Sequence, residues 1–461
     1  MYLTKRLIRE HIATGEEIWL NALSGAIDKL SEVEVALVER SLGGQRGGGS
    51  LIARLRSRGY LFDNAADEQS RFRRLVAEFG REQHGAVTHL VICPTYACNL
   101  RCVYCFEHRS HPNLPREMMD IDAVNHVFDA FSRIRRLYPS RNYALGLFGG
   151  EPLMTSTRFV VSRILSRARK NRLPVMIVTN GVSVASYLPI LEEHQSDIQA
   201  LQLTLDGPEE VHNQRRPDAA GRGTFDAVAA AVDILLEKNM HVVLRVNVDL
   251  GNVDELPRLA KVISNRGWSE ASSFSCSLAP VKDHLGSGAI PNVPAEADLL
   301  SALFDVYDRS PESEKIFGLK GLQVLGQLSA LLGSGGSSRP KIYHCEANHG
   351  GFWVAGPEGL LYACPEAVGQ PDLAIGRYTP AFEVWPQRME PWMGRNINTL
   401  NACRSCEVGP LCGGGCAYAS LAGKNTTPGP SCAAGLARAL SVYLSRRAVQ
   451  SCQGKKVRVR S

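Results

Sequence analysis

The chain has 461 residues, of which 44% are hydrophobic and 21% are charged, and its formal net charge is +6 at pH 7. This length predicts two or three domains, and the composition is typical of globular proteins with an ample core. Met1–Ile12 mixes charged and apolar residues, which excludes a signal-peptide core there, and no apolar run approaches the roughly 20 residues of a membrane helix. We therefore expect a cytoplasmic protein, in which the 13 cysteines indicate metal sites rather than disulfides.

Two clusters of basic residues account for the visible positive charge. One lies along a predicted helix between positions 163 and 172, and the other lies in the tail after position 454. No aromatic residues interleave with the helical cluster, as single-stranded nucleic acid would require. We expect a solvated helix face and a terminal tail, and neither nucleic acid nor a membrane as a partner.

The first 85 residues predict a small α+β module with a winged-helix-like order of elements. Two apolar runs flank the turn Ser24-Gly25, which predicts a β-hairpin, and Ser31 can cap the helix that follows. A second helix, Leu51–Arg58, and a short strand, Tyr60–Phe62, complete the order. The hairpin edge near Trp19–Leu23 can accept a strand from an extended peptide. One alternative to peptide binding is that the module only covers and packs against the next domain. Another is DNA binding, which is supported by only three arginines on the second helix.

The stretch Thr95–Glu107 reads TYACNLRCVYCFE and follows a predicted buried strand. It places Cys98, Cys102 and Cys105 in a CxxxCxxC pattern. Cysteine thiolates are the usual ligands of iron–sulfur clusters, and three of them hold three irons of a four-iron cube and leave the fourth open. An open iron can bind a small molecule through its amine and carboxylate. Three unrelated core cysteines and a zinc site are the alternatives, although zinc prefers four closed ligands.

From Val87 onward the pattern of strand, loop and helix repeats about six times, which predicts an α/β domain with a parallel sheet. Six units are too few to close an eight-stranded barrel, so we expect an open, partial (β/α)6 barrel over residues 86–332. Polar residues follow the predicted strands, where such sheets place their chemistry. They are Gly149, Gly150 and Glu151 after the second strand, Thr179 and Asn180 after the third, Thr204 and Asp206 after the fourth, and Asn247 after the fifth.

These motifs together resemble the radical S-adenosylmethionine (SAM) enzymes, whose open iron chelates SAM. The resemblance implies that Gly149, Gly150 and Glu151 hold the SAM amino group and that Thr204 and Arg222 meet its carboxylate. It further implies that Tyr104 packs by the adenine and that Thr179, Asn180 and Asn247 contact the ribose or methionine. Asp206 is a further candidate for cofactor binding. The stretch LDGPEEVHNQRR resembles the subgroup that acts on peptides and proteins.

A Gly/Ser-rich break at Gly333–Ser338 precedes a cysteine-rich part, residues 333–440, and a helix end with a basic tail, residues 441–461. The spacing in the cysteine-rich part is C-x13-G-x4-C, then C-x2-C-x5-C-x3-C, then a final cysteine. A zinc ribbon is the alternative, but seven thiolates are too many for one zinc site and too few for two. Cys93, Cys276 and Cys452 fit neither array and are expected to be ordinary thiols, although Cys276 can face the cavity of the barrel.

The second array resembles the SPASM extension, which carries two auxiliary iron–sulfur clusters. The resemblance implies an outer cluster on Cys403, Cys406, Cys412 and Cys432 and an inner cluster on Cys345, Cys364 and Cys416. The fourth iron of the inner cluster is then open to substrate or bound by a residue that the sequence does not identify. The implied cofactors are SAM and three 4Fe–4S clusters.

The resemblance implies a radical SAM peptide maturase with a 5′-deoxyadenosyl radical that modifies or cross-links a ribosomally synthesised precursor peptide. Its other partner would be a reducing electron donor such as flavodoxin or ferredoxin. In such maturases a winged-helix-like module commonly binds the leader of the precursor. The bond that is made, the precursor and the oligomeric state stay open.

The first alternative is an anaerobic sulfatase-maturing enzyme, which oxidises a Cys or Ser to formylglycine. Those enzymes carry an aspartate base directly after the cysteine of the G-x4-C element, where this chain has Pro365 and then Glu366. They also lack an N-terminal module of this kind. Glu366 is thus the candidate catalytic base. The second alternative is a non-catalytic iron–sulfur sensor on DNA, against which the retained GGEP and LTLDGP elements argue.

Overall fold

The computed structural model describes residues 1–12, 15–45, 47–83, 86–107, 117–284, 286, 288, 290, 292–319, 321–322, 340–422, 432 and 435–448. The break at Gly333–Ser338, Cys452 and the basic tail lie outside the described residues. Within the described part, no helix has both the length and the apolar character that a membrane crossing requires.

The N-terminal module contains two small sheets and three helices. Its strands are β1 (Tyr2–Leu3), β2 (Leu7–His11), β3 (Glu17–Asn21), β4 (Ile27–Leu30) and β5 (Leu61–Phe62), and its helices are α1 (Glu32–Leu42), α2 (Gly49–Ser57) and α3 (Ala65–Gln83). Strands β2, β3 and β4 form an antiparallel sheet, and β1 pairs with β5. Ser31 caps α1 as predicted, because its hydroxyl accepts from the Glu34 amide at 3.3 Å and Glu34 accepts from the Ser31 amide in return. The sequence reasoning missed β1, β2 and α3.

The predicted hairpin is confirmed as β3 and β4, but the prediction of a free edge near Trp19–Leu23 is wrong. Strand β3 pairs with β2 on one side and with β4 on the other, and Trp19 is fully buried. The residues of β2 show no clear strand periodicity, so the sequence does not indicate that β3 has a partner on that side. Strand β2 is itself packed against the C-terminal helix, where Ser441 donates to Glu10. The remaining edge of this sheet is β4.

The module packs against the cysteine-rich part of the chain. The guanidinium of Arg6 lies over the ring of Phe72 at 4.1 Å and donates to the carbonyl oxygen of Arg404 at 2.6 Å. Phe72 shares a buried cluster with Leu23 and Cys403. These contacts tie the module to the stretch that carries the outer cysteines.

A ten-stranded sheet runs through the rest of the chain. Its first six strands are parallel and in chain order: β6 (Val87–Ile92), β7 (Asn142–Leu147), β8 (Val175–Val178), β9 (Ile198–Thr204), β10 (Val242–Val248) and β11 (Phe274–Pro280). The accompanying helices are α4 (Ile121–Leu137), α5 (Arg158–Lys170), α6 (Val184–Glu193), α7 (Glu209–Arg215), α8 (Phe225–Glu237), α9 (Leu256–Asn265), α10 (Glu296–Arg309) and α11 (Pro311–Phe317). This confirms the expected α/β class with six parallel strands in a partial, TIM-like arrangement.

The cysteine-rich part continues the same sheet on the other side of β6. Strand β12 (Phe352–Ala355) pairs in parallel with β6, and β13 (Leu360–Tyr362), β14 (Ala374–Arg377) and β15 (Glu383–Val384) follow in antiparallel order. Its helices are α12 (Pro386–Met393), α13 (Gly409–Cys412), α14 (Ala417–Ala422) and α15 (Leu436–Tyr443). The sequence did not predict this continuity. The domain limits at 85, 332 and 440 stay predictions.

Candidate active site

The turn after β7 approaches the cysteine loop so closely that only glycine fits. Gly149 has a φ of +134°, and a Cβ there would lie 2.5 Å from the sulfur of Cys93. A Cβ on Gly150 would lie 2.3 Å from the carbonyl oxygen of Ala97. The Gly150 amide donates to Thr95 at 3.1 Å, and the next amide donates to Ala97 at 2.9 Å. The two glycines therefore fix this turn against the start of the cysteine loop.

Glu151 joins the ends of β7 and β8 beneath the cysteine loop. Its carboxylate is 1% exposed and accepts from the Leu153 amide at 2.8 Å, the Thr179 hydroxyl at 2.6 Å and the Asn180 amide at 2.6 Å. Burial raises the pKa of Glu151, although these hydrogen bonds act in the opposite direction. Asn180 also reaches the loop, since its Nδ2 donates to Asn99 at 2.8 Å and lies 3.9 Å from the sulfur of Cys98.

The three cysteines of the loop lie together on this edge. Burial raises the pKa of Cys98, and the charges of Glu151, Cys102 and Cys105 act in the same direction, so the three thiols are close enough to interact. The loop is held by main-chain bonds to the segment after α7: the Arg101 amide donates to Pro217 at 2.8 Å. Among the described residues, no three His, Cys, Asp or Glu side chains are placed to share one metal ion. A cubane does not require side chains that converge on one ion, because each of its thiolates binds a different iron.

Tyr104 lies at the centre of a buried polar network between the loop and the ends of β9 and β10. Its hydroxyl donates to Asp206 and accepts from Arg216 at 2.6 Å and from Asn247 Nδ2 at 2.9 Å. The Asn247 amide donates to the other oxygen of Asp206 at 2.9 Å. Arg215 lies over the Tyr104 ring at 5.2 Å. The structure thus brings Tyr104, Asp206 and Asn247 together, with the buried Thr204 at the end of β9 beside them.

Arg222 is not part of this group, and the prediction for it is not supported. Its side chain is 80% exposed and pairs with Asp218 at 2.7 Å, within the loop that precedes α8. Arg216 is 7% exposed, and its charge lowers the pKa of both Glu151 and Cys102, against the opposing effect of burial. The signal for Arg216 was its place in QRRPD, directly after α7, but sequence spacing alone did not separate it from Arg222.

His212 was not identified from the sequence, but it stabilises this network through the backbone of Asp206. Its Nδ1 accepts from the Asp206 amide at 3.3 Å, and its Nε2 lies 3.1 Å from the Thr224 hydroxyl, which donates to the Arg216 carbonyl at 2.7 Å. Burial lowers the pKa of His212 to about 3, and the charges of Arg216 and Arg215 contribute. The ring is therefore neutral with its proton on Nε2, and it fixes the turn that carries Asp206.

Electrostatic interactions connect the cysteines of the second array in two sets, and the assignment of each set to a cluster stays a prediction. Burial raises the pKa of Cys345 to about 11, and the nearby Cys416 contributes; Cys364 interacts with both. In the other group, burial raises the pKa of Cys403 to about 11, and the charges of Cys412, Cys406 and Cys432 add to this effect. The resemblance implies three cysteines for the inner set and leaves its fourth ligand unassigned.

Comparisons with known proteins agree with this geometry. Residues 92–263 match the family model of the Radical SAM superfamily. The chain contains a radical SAM domain. The mycofactocin maturase of Mycolicibacterium smegmatis is 28% identical over 338 residues, which are 71% of this chain and 77% of that protein. A serine-type anaerobic sulfatase-maturating enzyme of Klebsiella aerogenes is 26% identical over 342 residues, 71% of this chain and 79% of that protein.

A solved structure extends the likeness of fold. The structure of Streptococcus suis SuiB bound to its precursor peptide SuiA aligns with a TM-score of 0.54 and 16% identity, and it covers 92% of this chain and 97% of that one. The residues left unmatched are fewer than the 85 of the N-terminal module, so the shared fold extends into this module.

Radical SAM enzymes use SAM and a 4Fe–4S cluster, and the strand-end site of this enzyme fits both groups. Three thiols converge on one loop, which suits a cubane with one open iron. Beside them, the buried guanidinium of Arg216 can pair with a carboxylate. The carboxylates of Glu151 and Asp206 lie within the same group.

Two further carboxylates of the radical SAM enzyme lie between this site and the inner cysteines. Burial raises the pKa of Glu107 to about 8, and the charges of Glu366 and Glu151 contribute. The charge of Glu366 also acts to raise the pKa of Cys364 and, against the opposing effect of burial, the pKa of Arg245 in β10. Glu366, the candidate base, also lies 3.2 Å from His284, which follows the last strand of the barrel. Glu107 was missed from the sequence, where its only signal is its position two residues after Cys105.

Proposed function

We propose that this radical SAM enzyme oxidatively modifies or cross-links residues of a ribosomally synthesised precursor peptide. The observation that carries the proposal is the N-terminal module, which packs on the outer cysteine stretch through Arg6 and Phe72 and leaves the β4 edge of its sheet unpaired within the described part. The likeness in fold to SuiB supports it, since that match extends into the module. The mycofactocin maturase is a further relative with a maturase activity.

In the proposed mechanism, the strand-end residues bind and orient SAM. Arg216 would pair with its carboxylate, the turn Gly149–Glu151 would hold its amino group, and Tyr104 with Asn247 would line the side toward β10. The buried polar groups around them exclude water, which protects a radical from quenching. When bound, the cluster and SAM would supply a 5′-deoxyadenosyl radical for hydrogen-atom abstraction from the peptide.

The second array is proposed to hold two auxiliary clusters, which would accept an electron from the substrate radical and so permit a net oxidation. Cys403, Cys406, Cys412 and Cys432 would hold the outer cluster, and Cys345, Cys364 and Cys416 the inner one. Glu366 is the proposed base, because it lies between the inner cysteines and the SAM site. A reducing donor such as flavodoxin or ferredoxin would supply the first electron.

The leader of the precursor is proposed to bind at β4. Its Ile27 carbonyl accepts from Arg58 at 3.1 Å, so this carbonyl faces away from β3. Because backbone groups alternate along a strand, the Lys29 amide faces the same way. An extended leader can pair there by strand addition, which gives affinity through main-chain bonds.

The second candidate is a sulfatase-maturing activity, which the similarity to the Klebsiella aerogenes enzyme supports. The two are separated by incubating the reconstituted enzyme with SAM, reductant and one of two peptides. One is a candidate precursor peptide, taken from any small open reading frame that is found beside the gene. The other is a sulfatase-derived peptide with Cys or Ser at the target position. A loss of two hydrogens without an aldehyde, in the first peptide alone, supports the proposal. A hydrazide-reactive aldehyde in the second peptide would instead establish the sulfatase-type activity.

A further inference from the structure

We propose that His284 is the fourth protein ligand of the inner auxiliary cluster. This inference rests on the proposed function, since it requires that Cys345, Cys364 and Cys416 hold that cluster. A cubane has four irons, and these three thiols leave one of them without a protein ligand.

The position of His284 singles it out. It lies four residues beyond β11, the last strand of the barrel, and its side chain is 23% exposed. The ring forms a hydrogen bond with Cys416 and packs edge-on against Tyr418 with ring centroids 6.2 Å apart. The chain after the barrel thus delivers an imidazole directly to the inner cysteines.

Glu366 holds this ring in a manner typical of metal-binding histidines. Its Oε1 lies 3.2 Å from Nε2 of His284. Histidines that bind metals generally donate one ring N–H to a carboxylate, which fixes the ring and leaves the other nitrogen for the metal. Glu366 lies two residues after Cys364, so a single short segment provides one cluster ligand and the carboxylate that orients another. Nδ1 of His284 is then the nitrogen available to iron.

His344 and Cys276 are two other potential donors in this region, and each interacts with another group. Nδ1 of His344 is bound to the carbonyl oxygen of Cys412, toward the outer group. Cys276 is buried on β11 and interacts with Tyr307 of α10.

A histidine ligand has a consequence for the chemistry of the cluster. Imidazole is neutral, whereas thiolate is anionic, so one histidine makes the cluster less negative and raises its reduction potential. A higher potential favours acceptance of an electron from the substrate. The ligand would also link the cluster to the barrel, because His284 follows a barrel strand and the cysteines do not.

The test uses full-length protein that is reconstituted anaerobically, reduced and examined by pulsed EPR. We expect a strong 14N hyperfine coupling on the inner cluster that changes to a 15N pattern when the protein is labelled with 15N-histidine. His284→Cys should keep the iron content, remove this coupling and lower the reduction potential of the inner cluster. Glu366→Gln should keep the coupling, because the ring remains while its orienting charge is lost.

The inner cluster is identified by subtraction, as the set of signals missing in Cys364→Ala. The assignment to His284 would be overturned by a nitrogen coupling that persists in His284→Cys. It would also be overturned by a wild-type inner cluster that shows no nitrogen coupling, and the role of His284 would then be a hydrogen bond to Cys416. If Cys364→Ala loses neither iron nor signal, there is no inner cluster on these cysteines. That result would also overturn the three-cluster part of the proposed function. It is distinguishable because it is observed in Cys364→Ala, without any variant of His284.

Discussion

Arg216 and Arg222 offer a matched test of the SAM site. They lie six positions apart, but Arg216 is buried beside Tyr104, whereas Arg222 is 80% exposed and paired only with Asp218 among the described contacts. If Arg216 receives the SAM carboxylate, Arg216→Gln removes a charge-assisted pair with SAM. Arg222→Gln removes only the solvent-exposed ion pair with Asp218, which salt already screens.

The expected size follows from the burial of Arg216. A hydrogen bond to a charged group contributes ~1.5–3 kcal/mol, and the site excludes the water that would replace it. At 1.4 kcal/mol per factor of ten, the Kd for SAM should rise ~10- to 150-fold in Arg216→Gln. Arg222→Gln should leave the Kd within error of the wild-type value.

The assay is calorimetric titration of SAM into the reconstituted protein, which requires no turnover. Arg216→Lys is the conservative control and should recover part of the affinity, since it keeps the charge but loses the planar fork. Iron content and near-UV circular dichroism verify that each variant is folded and loaded. Equal loss of affinity in both glutamine variants, or loss in Arg222→Gln alone, would refute the assignment of the carboxylate to Arg216.

Three further predictions address the loop, the turn and the module. Replacement of Cys98, Cys102 and Cys105 by Ala should abolish 5′-deoxyadenosine formation and leave the auxiliary iron, out of roughly 12 iron per chain for three cubanes; about four iron in the wild type would contradict three clusters. Gly150→Ala should destabilise the protein by ~1–3 kcal/mol through overpacking against the loop, and it should also weaken SAM binding. A thermal melt and a titration measure the two effects. Gly47→Ala is the control, because no atom lies within 4 Å of its added Cβ. Lys29→Pro removes one outward amide of β4 and should weaken precursor binding by ~0.5–1.5 kcal/mol relative to Lys29→Ala, with SAM cleavage unchanged; equal binding by both variants would argue against strand addition at β4.

The sequence alone determined the features that depend on neighbours along the chain. Ligand spacing within one loop, as in Cys98–Cys105, is local, so the cysteine pattern was enough to indicate its chemistry. The alternation of strand and helix is also local, and it predicted six parallel strands. Because parallel strands end at one edge of a sheet, the polar residues after them were expected to meet there, and Glu151, Asn180, Asp206 and Asn247 do lie at that edge.

The tertiary structure decided what depends on residues far apart in the chain. Arg216 and Arg222 are alike in the sequence, and only the fold buries the first against Tyr104, 112 positions away. Strand β12 joins β6 across more than 250 residues, which brings Glu366 and His284 to the inner cysteines. The same holds for β3. The local pattern predicted an edge strand, whereas pairing with β2 places β3 at the centre of its sheet. Local pattern records which face a residue presents, whereas burial and contact also depend on which distant segment covers that face.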